Sequence, residues 1–176
     1  MAFEHEYLIA DISDYPKPGV VFKDITPLLA DADGLRDLVD GIADHFADAG
    51  VTKIMGAESR GFMVGAPVAY RMGAGFVPAR KPGKLPREVF EQEYDLEYGT
   101  DVLQIHADAV GPDDVVLLVD DLLATGGTAA AMYKLATRAG AKVVGYGFLM
   151  ELEFLKPRDL LAQVSDVEVY SLVKVQ

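Results

Sequence analysis

The sequence contains no cysteine, so disulfide bonds, zinc–thiolate sites and thiol catalysis are all excluded. The lack of cysteine is compatible with the cytoplasm, and we expect a cytoplasmic protein. Residues 1–6 contain neither the basic nor the apolar segment of a secretory signal, so no signal peptide is expected. Residues 61–79 are rather apolar, but Pro67, Arg71 and several glycines interrupt them, so no membrane-spanning helix and no membrane partner are expected.

Positive charge is scarce, because 16 lysine and arginine residues stand against 28 aspartate and glutamate residues and the formal net charge is −12. Such a chain repels nucleic acid phosphates, and it has no basic stripe interleaved with aromatic residues, so no nucleic acid partner is expected. One basic cluster, formed by Arg80, Lys81, Lys84 and Arg87, lies among glycine and proline residues. A solvated loop and an anion-facing loop are both compatible with this cluster.

Apolar residues make up 51% of the 176 residues, which is ample for the core of one domain spanning residues 1–176. Apolar periodicity predicts helices that begin near residue 35 and end near residue 50, and at 61–72 and 126–139. It predicts strands at 53–57, 76–79, 102–105, 115–119, 142–149 and 167–173, with an irregular segment or a hairpin at 81–100. Strands that alternate with helices indicate an α/β protein with a mostly parallel sheet.

The segment from Val115 to Thr128 carries the strongest chemical signal. Five apolar residues predict a doubly buried strand, and Asp120 and Asp121 follow where that strand is expected to end. A threonine- and glycine-containing loop then leads into a helix, which is typical of a phosphate site. The segment lacks the Gly-Lys-Ser/Thr ending of a Walker A loop and the spacing of a dinucleotide-binding motif. A helix cap followed by a plain turn is the alternative, but two adjacent carboxylates repel each other and favour a ligand or a cation.

A second loop, residues 57–61, also lies between a short apolar strand and a helix. Because the carboxyl ends of parallel strands share one edge of a sheet, both loops are expected to open on the same side. Taken alone, Ser59 reads as a helix N-cap and Arg60 as a surface residue.

The segment from Val115 to Thr128 resembles the phosphoribosyl pyrophosphate motif of type I phosphoribosyltransferases. The resemblance implies the fold of that family, in which helices flank a mostly parallel twisted sheet, with a small hood and a mobile flap. It implies that Asp120 and Asp121 bind the ribose hydroxyls and stabilise positive charge on the sugar. It also implies Mg²⁺ as cofactor, held through the substrate, with Asp120 and Asp121 as candidate protein ligands. The cradle of the 5′-phosphate would be Ala124, Thr125, Gly126, Gly127 and Thr128.

Three further segments narrow the resemblance to the adenine phosphoribosyltransferase family. In the first, residues 18–27, Phe22 alone would be read as a plug of a small satellite core. The resemblance instead implies a base-binding hood at about residues 1–30. Phe22 would stack on adenine, and the backbone of Val21 and Lys23 would read the purine edge that carries the 6-amino group.

The second segment, residues 58–62, is implied to be the pyrophosphate loop, with Glu58, Ser59 and Arg60 at the leaving group. The third, residues 80–99, resembles the catalytic flap of the family, and we call it the flap. The flap would supply Arg80, Lys81 and Lys84 to the pyrophosphate. It would also supply Glu97 as the acid or base at the purine, with Tyr98 beside it. Nothing but the resemblance marks out Glu97 and Tyr98, which otherwise read as an ordinary strand end.

The resemblance implies transfer of a phosphoribosyl group from phosphoribosyl pyrophosphate to adenine, giving AMP and pyrophosphate in purine salvage, by a homodimer. The proposed catalytic residues are Arg60, Glu97, Tyr98, Asp120 and Asp121. Three alternatives remain: a phosphoribosyltransferase for 6-oxopurines, a regulator that has kept the fold but lost catalysis, and a generic nucleotide-binding module. The residues around Phe22 argue against the first, the presence of Glu97 against the second, and the missing dinucleotide motif against the third.

Overall fold

The structure, a computed structural model, describes residues 3–95 and 99–176, and strands alternate with helices along most of the chain. The strands are β1 (Ala10–Ser13), β2 (Val21–Asp24), β3 (Lys53–Ala57), β4 (Gly75–Ala79), β5 (Val89–Asp95), β6 (Thr100–His106), β7 (Val115–Leu123), β8 (Lys142–Leu152) and β9 (Glu168–Val175). The α-helices are α1 (Thr26–Ala30), α2 (Ala32–His45), α3 (Arg60–Met72), α4 (Gly127–Arg138) and α5 (Pro157–Leu161).

The central sheet is parallel throughout, with its strands in the order β4-β3-β7-β8-β9. Strand β3 pairs with β4 on one side and with β7 on the other, so the order of the strands reverses next to β3. Ligands of open α/β sheets bind in the crevice beyond the carboxyl ends of the strands at such a reversal. The topology therefore places a ligand site between the loops that follow β3 and β7.

Helices cover both faces of this sheet because its strands are apolar on both faces. One core packs α1, α2 and α3 against the sheet and includes the fully buried Leu38 and Ile42 of α2. The other packs α4 and the β5/β6 pair against the opposite face and includes the fully buried Met132 and Leu135 of α4. Burial of a leucine side chain of this kind contributes about 1.5–3 kcal/mol.

Two antiparallel pairs lie outside the central sheet. Strands β1 and β2 pair from Ala10↔Asp24 to Ser13↔Val21, within the segment predicted as the hood. Strands β5 and β6 pair from Val89↔His106 to Asp95↔Thr100, within and beside the flap. A bridge between Arg80 and Gln104, with N···O distances of 2.8 and 2.7 Å, joins β6 to the end of β4.

The predicted α/β class with a mostly parallel sheet is confirmed, and a hairpin replaces the alternative of an irregular segment after residue 88. The predicted end of the central strand at Val119 was wrong. Strand β7 continues to Leu123, because Asp120 and Leu123 still pair with Phe148 and Glu151 of β8.

The predicted helix ending near residue 50 was also wrong at both ends. Asp31 accepts hydrogen bonds from the N–H groups of Asp33 and Gly34, at 3.1 and 2.8 Å, and so caps the helix earlier. The helix ends at His45, and the next residue, Phe46, stays in the core at 4% exposure. Strands β1 and β2 and helices α1 and α5 were not predicted. Within the described residues, no helix has the combination of length and apolar character that crossing a bilayer requires.

Candidate active site

The loops after β3 and β7 meet at the carboxyl edge of the sheet, as the sequence predicts. Arg60, the first residue of α3, places its Nε 2.9 Å from Oδ2 of Asp121 near the end of β7. A cleft of about 570 Å³ opens here, a volume within the usual range of small-molecule sites. Its lining comes from the hood, from both loops and from the β5/β6 pair, and comprises Phe22, Ala57, Glu58, Ser59, Arg60, Lys81, Tyr94, Asp101, Leu103, Asp120, Asp121, Leu122, Ala124 and Thr128.

Asp120 and Asp121 both line the cleft, although consecutive residues of a regular strand point to opposite faces. The alternation of β7 breaks at this pair. Val119 and Leu123 are four residues apart and would share a face of a regular strand. Instead, Val119 belongs to the core beside α2 and α3, whereas Leu123 belongs to the core beside α4. This break allows two consecutive carboxylates to face one cleft.

The two carboxylates lie in different environments. Asp121 is 5% exposed, and its Oδ2 lies against the Arg60 guanidinium, yet within the described residues this oxygen accepts no well-aligned hydrogen bond. Burial and the neighbouring Asp121 charge raise the pKa of Asp120 well above its usual value, and they outweigh the opposing charge of Arg60. A cation or a sugar hydroxyl at this point would supply the missing partner of Asp121 and favour the ionised form of Asp120.

Gly61 is the residue that lets α3 approach this pair. A Cβ atom at position 61 would lie 2.6 Å from Oδ1 of Asp120, which is closer than carbon and oxygen can come. A Cβ atom at Gly56 would likewise lie 2.9 Å from the carbonyl oxygen of Gly61. The two glycines therefore bring the amino end of α3 directly against the carboxylates, a role that the sequence analysis did not assign to them.

Residues 124–128, the segment predicted as the cradle of a phosphate and called the phosphate loop below, comprise the turn of residues 124–126 after β7 and the first two residues of α4. With their neighbours they enclose a hollow of about 60 Å³. Gly126 caps α4 with a φ of +91°, a left-handed conformation that favours glycine. Because the first N–H groups of a helix have no partner within it, the amino end of α4 offers donors and a positive dipole end to an anion in this hollow.

Glu58 and Ser59 connect β3 to α3, and the peptide bond between them is cis. Oε2 of Glu58 accepts hydrogen bonds from Nε of Arg80, at 3.2 Å, and from the N–H of Lys81, at 2.8 Å. The carboxylate therefore holds the end of β4 against the loop after β3. It places Arg80 behind Glu58 and directs the chain at Lys81 toward the cleft.

Lys81 faces the cleft from the side of the β5/β6 pair, where its Nζ lies 2.5 Å from Oδ2 of Asp101. This hydrogen bond raises the pKa of Lys81 and lowers the pKa of Asp101. Tyr94 lies opposite Asp101 in the antiparallel register, and its ring lies beside the start of α4, 3.3 Å from where a Cβ atom at Gly127 would be. Both Tyr94 and Asp101 line the cleft, and the sequence analysis missed them because their proximity depends on the register of the hairpin.

Phe22 brings the hood to the same cleft. Its ring packs edge-on against Tyr15, with centroids 5.2 Å apart, and the Arg60 guanidinium carbon lies 5.3 Å from its centroid. Val21 and Lys23 flank Phe22 on β2, so their backbone groups share one edge of that strand. The side chain of Lys23 turns to Asp11, with Nζ 2.6 Å from Oδ1.

The remaining predicted site residues do not line the cleft. Lys84 is exposed, and Arg87 contacts Asp108 and His106 instead. Of the predicted basic cluster, Lys81 lines the cleft and Arg80 lies behind it. Glu97 and Tyr98 lie outside the described residues, so their roles stay predictions.

Comparison with known proteins identifies the family. Residues 23–170 match the model of the phosphoribosyl transferase domain. An adenine phosphoribosyltransferase from Aeromonas salmonicida is 53% identical over 170 residues, which cover 97% of this chain and 93% of that protein. The chain belongs to the adenine phosphoribosyltransferase family.

Solved structures of adenine phosphoribosyltransferases share the whole fold. The enzyme from Thermoanaerobacter pseudethanolicus is 48% identical with a TM-score of 0.93, and the alignment covers 98% of each chain. The enzyme from Giardia lamblia, solved with 9-deazaadenine, is 37% identical with a TM-score of 0.92 and covers 100% of this chain and 99% of that one. This likeness confirms the predicted type I phosphoribosyltransferase fold.

The acidic residues of the cleft fit a magnesium ion that is held mainly by substrate oxygens. Within the described residues, no cluster of three or more acidic or histidine side chains forms a site of its own. Asp120 and Asp121 offer two carboxylates with one unpartnered oxygen. Mg²⁺ commonly uses one or two carboxylates together with waters and substrate phosphates, which is the donor set available here.

Proposed function

We propose that this protein transfers the 5-phosphoribosyl group from phosphoribosyl pyrophosphate to adenine, giving AMP and pyrophosphate. The bond between the sugar carbon and a pyrophosphate oxygen breaks, and its electron pair leaves with pyrophosphate. The same carbon forms a bond to a nitrogen of adenine. That nitrogen loses its proton. The observation that carries the proposal is the cleft at the β3/β7 reversal, where a phosphate loop, an acidic pair, two cations and an aromatic ring of the hood converge.

The cleft divides into three parts. Residues 124–128 bind the 5′-phosphate through backbone N–H groups, and Asp120 and Asp121 bind the ribose hydroxyls. The loop containing Glu58, Ser59 and Arg60 receives the pyrophosphate, with Lys81 opposite and Arg80 and Lys84 as further cations. Phe22 stacks on adenine, and the backbone of Val21 and Lys23 reads its edge.

The charge distribution suits bond cleavage that runs ahead of bond formation. Positive charge then develops on the ribose, where the carboxylates of Asp120 and Asp121 stabilise it. Negative charge develops on the pyrophosphate, where Arg60 and Lys81 stabilise it. Bound Mg²⁺ would neutralise further charge on the phosphates. Glu97 accepts the proton of adenine, a role that the family resemblance supports.

A backbone acceptor at the hood gives a physical basis for choosing adenine. Adenine offers a donor at position 6, whereas hypoxanthine and guanine offer an acceptor. A mismatched pair would leave a buried polar group without a partner, which costs about 1–3 kcal/mol. The Giardia lamblia relative was solved with an adenine analogue, which agrees with this choice.

A homodimer is the proposed assembly. Met63 and Tyr70 are seven residues apart on α3 and therefore share one face, where they are 44% and 90% exposed. Exposed apolar side chains on a helix that begins at Arg60 suit a partner surface close to the cleft. Analytical ultracentrifugation should give a dimer mass, and Tyr70→Glu should shift it toward the monomer. A monomer in the parent protein would contradict this assembly.

A cytoplasmic location also stays a prediction.

The test of the activity is a product assay with each purine. The protein is incubated with Mg²⁺, phosphoribosyl pyrophosphate and adenine, hypoxanthine, guanine or xanthine, and the monophosphates are separated. AMP should form about 5- to 150-fold faster than any 6-oxopurine monophosphate, the ratio that corresponds to about 1–3 kcal/mol for an unpaired polar group. Faster formation of IMP, GMP or XMP would overturn the choice of base. Absence of every monophosphate would overturn the activity.

A further inference from the structure

Helix α5 forms the back wall of the phosphate loop. A Cβ atom at Gly126 would lie 3.1 Å from the carbonyl oxygen of Pro157 and 3.4 Å from Cδ2 of Leu160. Gly126 is also the residue with the left-handed backbone that caps α4. The position of α5 therefore limits where the loop of residues 124–128 can lie.

An ion pair between a buried carboxylate and the half-exposed Arg158 fixes α5 to the sheet. Glu151 of β8 is 1% exposed, and its two carboxylate oxygens accept hydrogen bonds from Nε and Nη2 of Arg158, both at 2.7 Å. Ser171 of β9 donates a third hydrogen bond, at 2.9 Å, to the same carboxylate. Burial acts to raise the pKa of Glu151, but the hydrogen bonds from Arg158 and Ser171 outweigh it and hold the pKa below its usual value.

The form of this contact suits positioning better than simple stabilisation. Apolar residues of similar volume often stabilise a protein as well as a buried ion pair does. A two-point contact between a guanidinium and a carboxylate fixes orientation as well as distance, which an apolar contact does not. Arg158 directly follows Pro157, the residue whose carbonyl oxygen abuts Gly126. The fixed guanidinium thus determines where that carbonyl lies.

We infer that Glu151 and Arg158 are positioning residues for the 5′-phosphate subsite, which they hold in shape through α5 without touching the substrate. The inference rests on the proposed function, because it takes the anion in the loop to be the 5′-phosphate. Loss of the pair should let α5 and the loop shift and misalign the N–H donors. The adenine part of the cleft, formed by the hood, should be unaffected.

The test uses Glu151→Gln, Arg158→Gln and Arg158→Lys in the full-length protein. Steady-state kinetics gives KM for each substrate, and calorimetry gives the dissociation constants of ribose 5-phosphate and of adenine. In the two glutamine variants, KM for phosphoribosyl pyrophosphate and the dissociation constant of ribose 5-phosphate should rise about 10- to 100-fold, the size of effect that a small misplacement causes. The values for adenine should stay within about twofold, and Arg158→Lys should restore part of the loss.

Arg36→Gln is the control, because it removes an ion pair with Asp33, 2.6 Å away, on α2, no described residue of which lines the cleft. It should leave both constants at the parent values. Leu160→Ala is the variant with the lower risk to folding, since Leu160 is 36% exposed and lies beside Gly126 without taking part in the ion pair. This variant should also weaken the binding of ribose 5-phosphate and leave the binding of adenine unchanged.

Two results would overturn the inference. One is a folded Glu151→Gln or Leu160→Ala protein with unchanged affinity for ribose 5-phosphate. The other is an equal loss of affinity for ribose 5-phosphate and for adenine, which would indicate general destabilisation of the protein. Failure of the proposed function would look different, because the parent protein itself would then make no AMP.

Discussion

Arg60 begins the helix that follows β3, Asp121 lies near the end of β7, and Nε of the arginine lies 2.9 Å from Oδ2 of the aspartate. Arg60 belongs to the loop proposed to bind pyrophosphate, and Asp121 to the segment proposed to bind ribose. The contact therefore joins the two halves of the cleft at the position where the bond between sugar and pyrophosphate would break. Each side of that bond meets a group of the opposite charge.

Asp120→Asn should raise the thermal stability of the protein near neutral pH and lower its activity. Because the folded-state pKa of Asp120 is raised, the folded state loses stability relative to the unfolded chain as pH rises from about 4, the usual aspartate pKa, through the raised value. The asparagine removes this loss, so Tm near pH 7.5 should increase, by about 2–4 °C for each kcal/mol gained. The gain should vanish below about pH 4, whereas kcat should fall by about 100-fold or more.

Asp114→Asn is the control for that experiment. Asp114 lies just before the opposite end of the same strand, and its pKa is lowered because hydrogen bonds from Gly111, Thr52 and Lys53 outweigh the effect of burial. A lowered pKa contributes stability above about pH 4 that is lost as pH falls, so this variant should lower Tm near neutral pH. Its activity should not change. A lower Tm for Asp120→Asn as well would contradict the pKa shift of Asp120.

Asp101→Asn should strengthen the binding of phosphoribosyl pyrophosphate. The Asp101 carboxylate accepts a hydrogen bond from the Lys81 ammonium, so the pyrophosphate group has to compete with this carboxylate for Lys81. Lys81 is 52% exposed, and such a pair is worth about 0.2–1 kcal/mol, so KM for phosphoribosyl pyrophosphate should fall by up to about fivefold. Lys81→Met should have the opposite effect. Initial rates at saturating adenine measure both, and a rise in KM for Asp101→Asn would show that Asp101 positions Lys81 rather than competing for it.

Phe22→Ala should raise KM for adenine about 5- to 150-fold, because base–aromatic stacking is worth about 1–3 kcal/mol. KM for phosphoribosyl pyrophosphate should change less, since the sugar and phosphates bind to the sheet edge. Phe154→Ala, at a phenylalanine that is 59% exposed, controls for loss of a surface aromatic. Equal changes in both KM values would mean that Phe22 supports the fold of the hood instead of binding the base.

Glu97→Gln should lower kcat while leaving the affinity for phosphoribosyl pyrophosphate within about threefold. Proton transfer by a positioned side chain contributes about 100- to 10,000-fold, and a glutamine cannot accept the proton of adenine. Glu93→Gln is the control, since Glu93 is an exposed carboxylate on β5. An unchanged kcat in Glu97→Gln would end the assignment of this residue as acid or base.

Much of the fold follows from local sequence pattern. The doubly apolar segment at 115–119 and its counterpart at 53–57 predict buried parallel strands, and the reversal rule then places the two loops together. The contact between Arg60 and Asp121 confirms that step. The extension of β7 to Leu123 could not be predicted in this way. It depends on pairing with β8, a strand whose carboxyl end is defined only in the folded sheet.

The parts of the site that escaped prediction depend on long-range geometry. Tyr94 and Asp101 come together through the register of β5 and β6, which neither residue type indicates. Glu151 and Arg158 are ordinary charged residues in the sequence, and their role depends on the burial of β8 and the position of α5. The division of roles among Val21, Phe22, Lys23, Glu97 and Tyr98 came from the family resemblance and stays a prediction.

A crystal structure of the protein with Mg²⁺, AMP and pyrophosphate tests the division of the cleft most directly. The 5′-phosphate should lie within hydrogen-bond distance of the N–H groups of residues 125–128. Pyrophosphate should lie against Arg60 and Lys81, and the adenine ring should stack on Phe22. A 5′-phosphate at Arg60 and Lys81, or an adenine ring away from the hood, would contradict this division of the cleft.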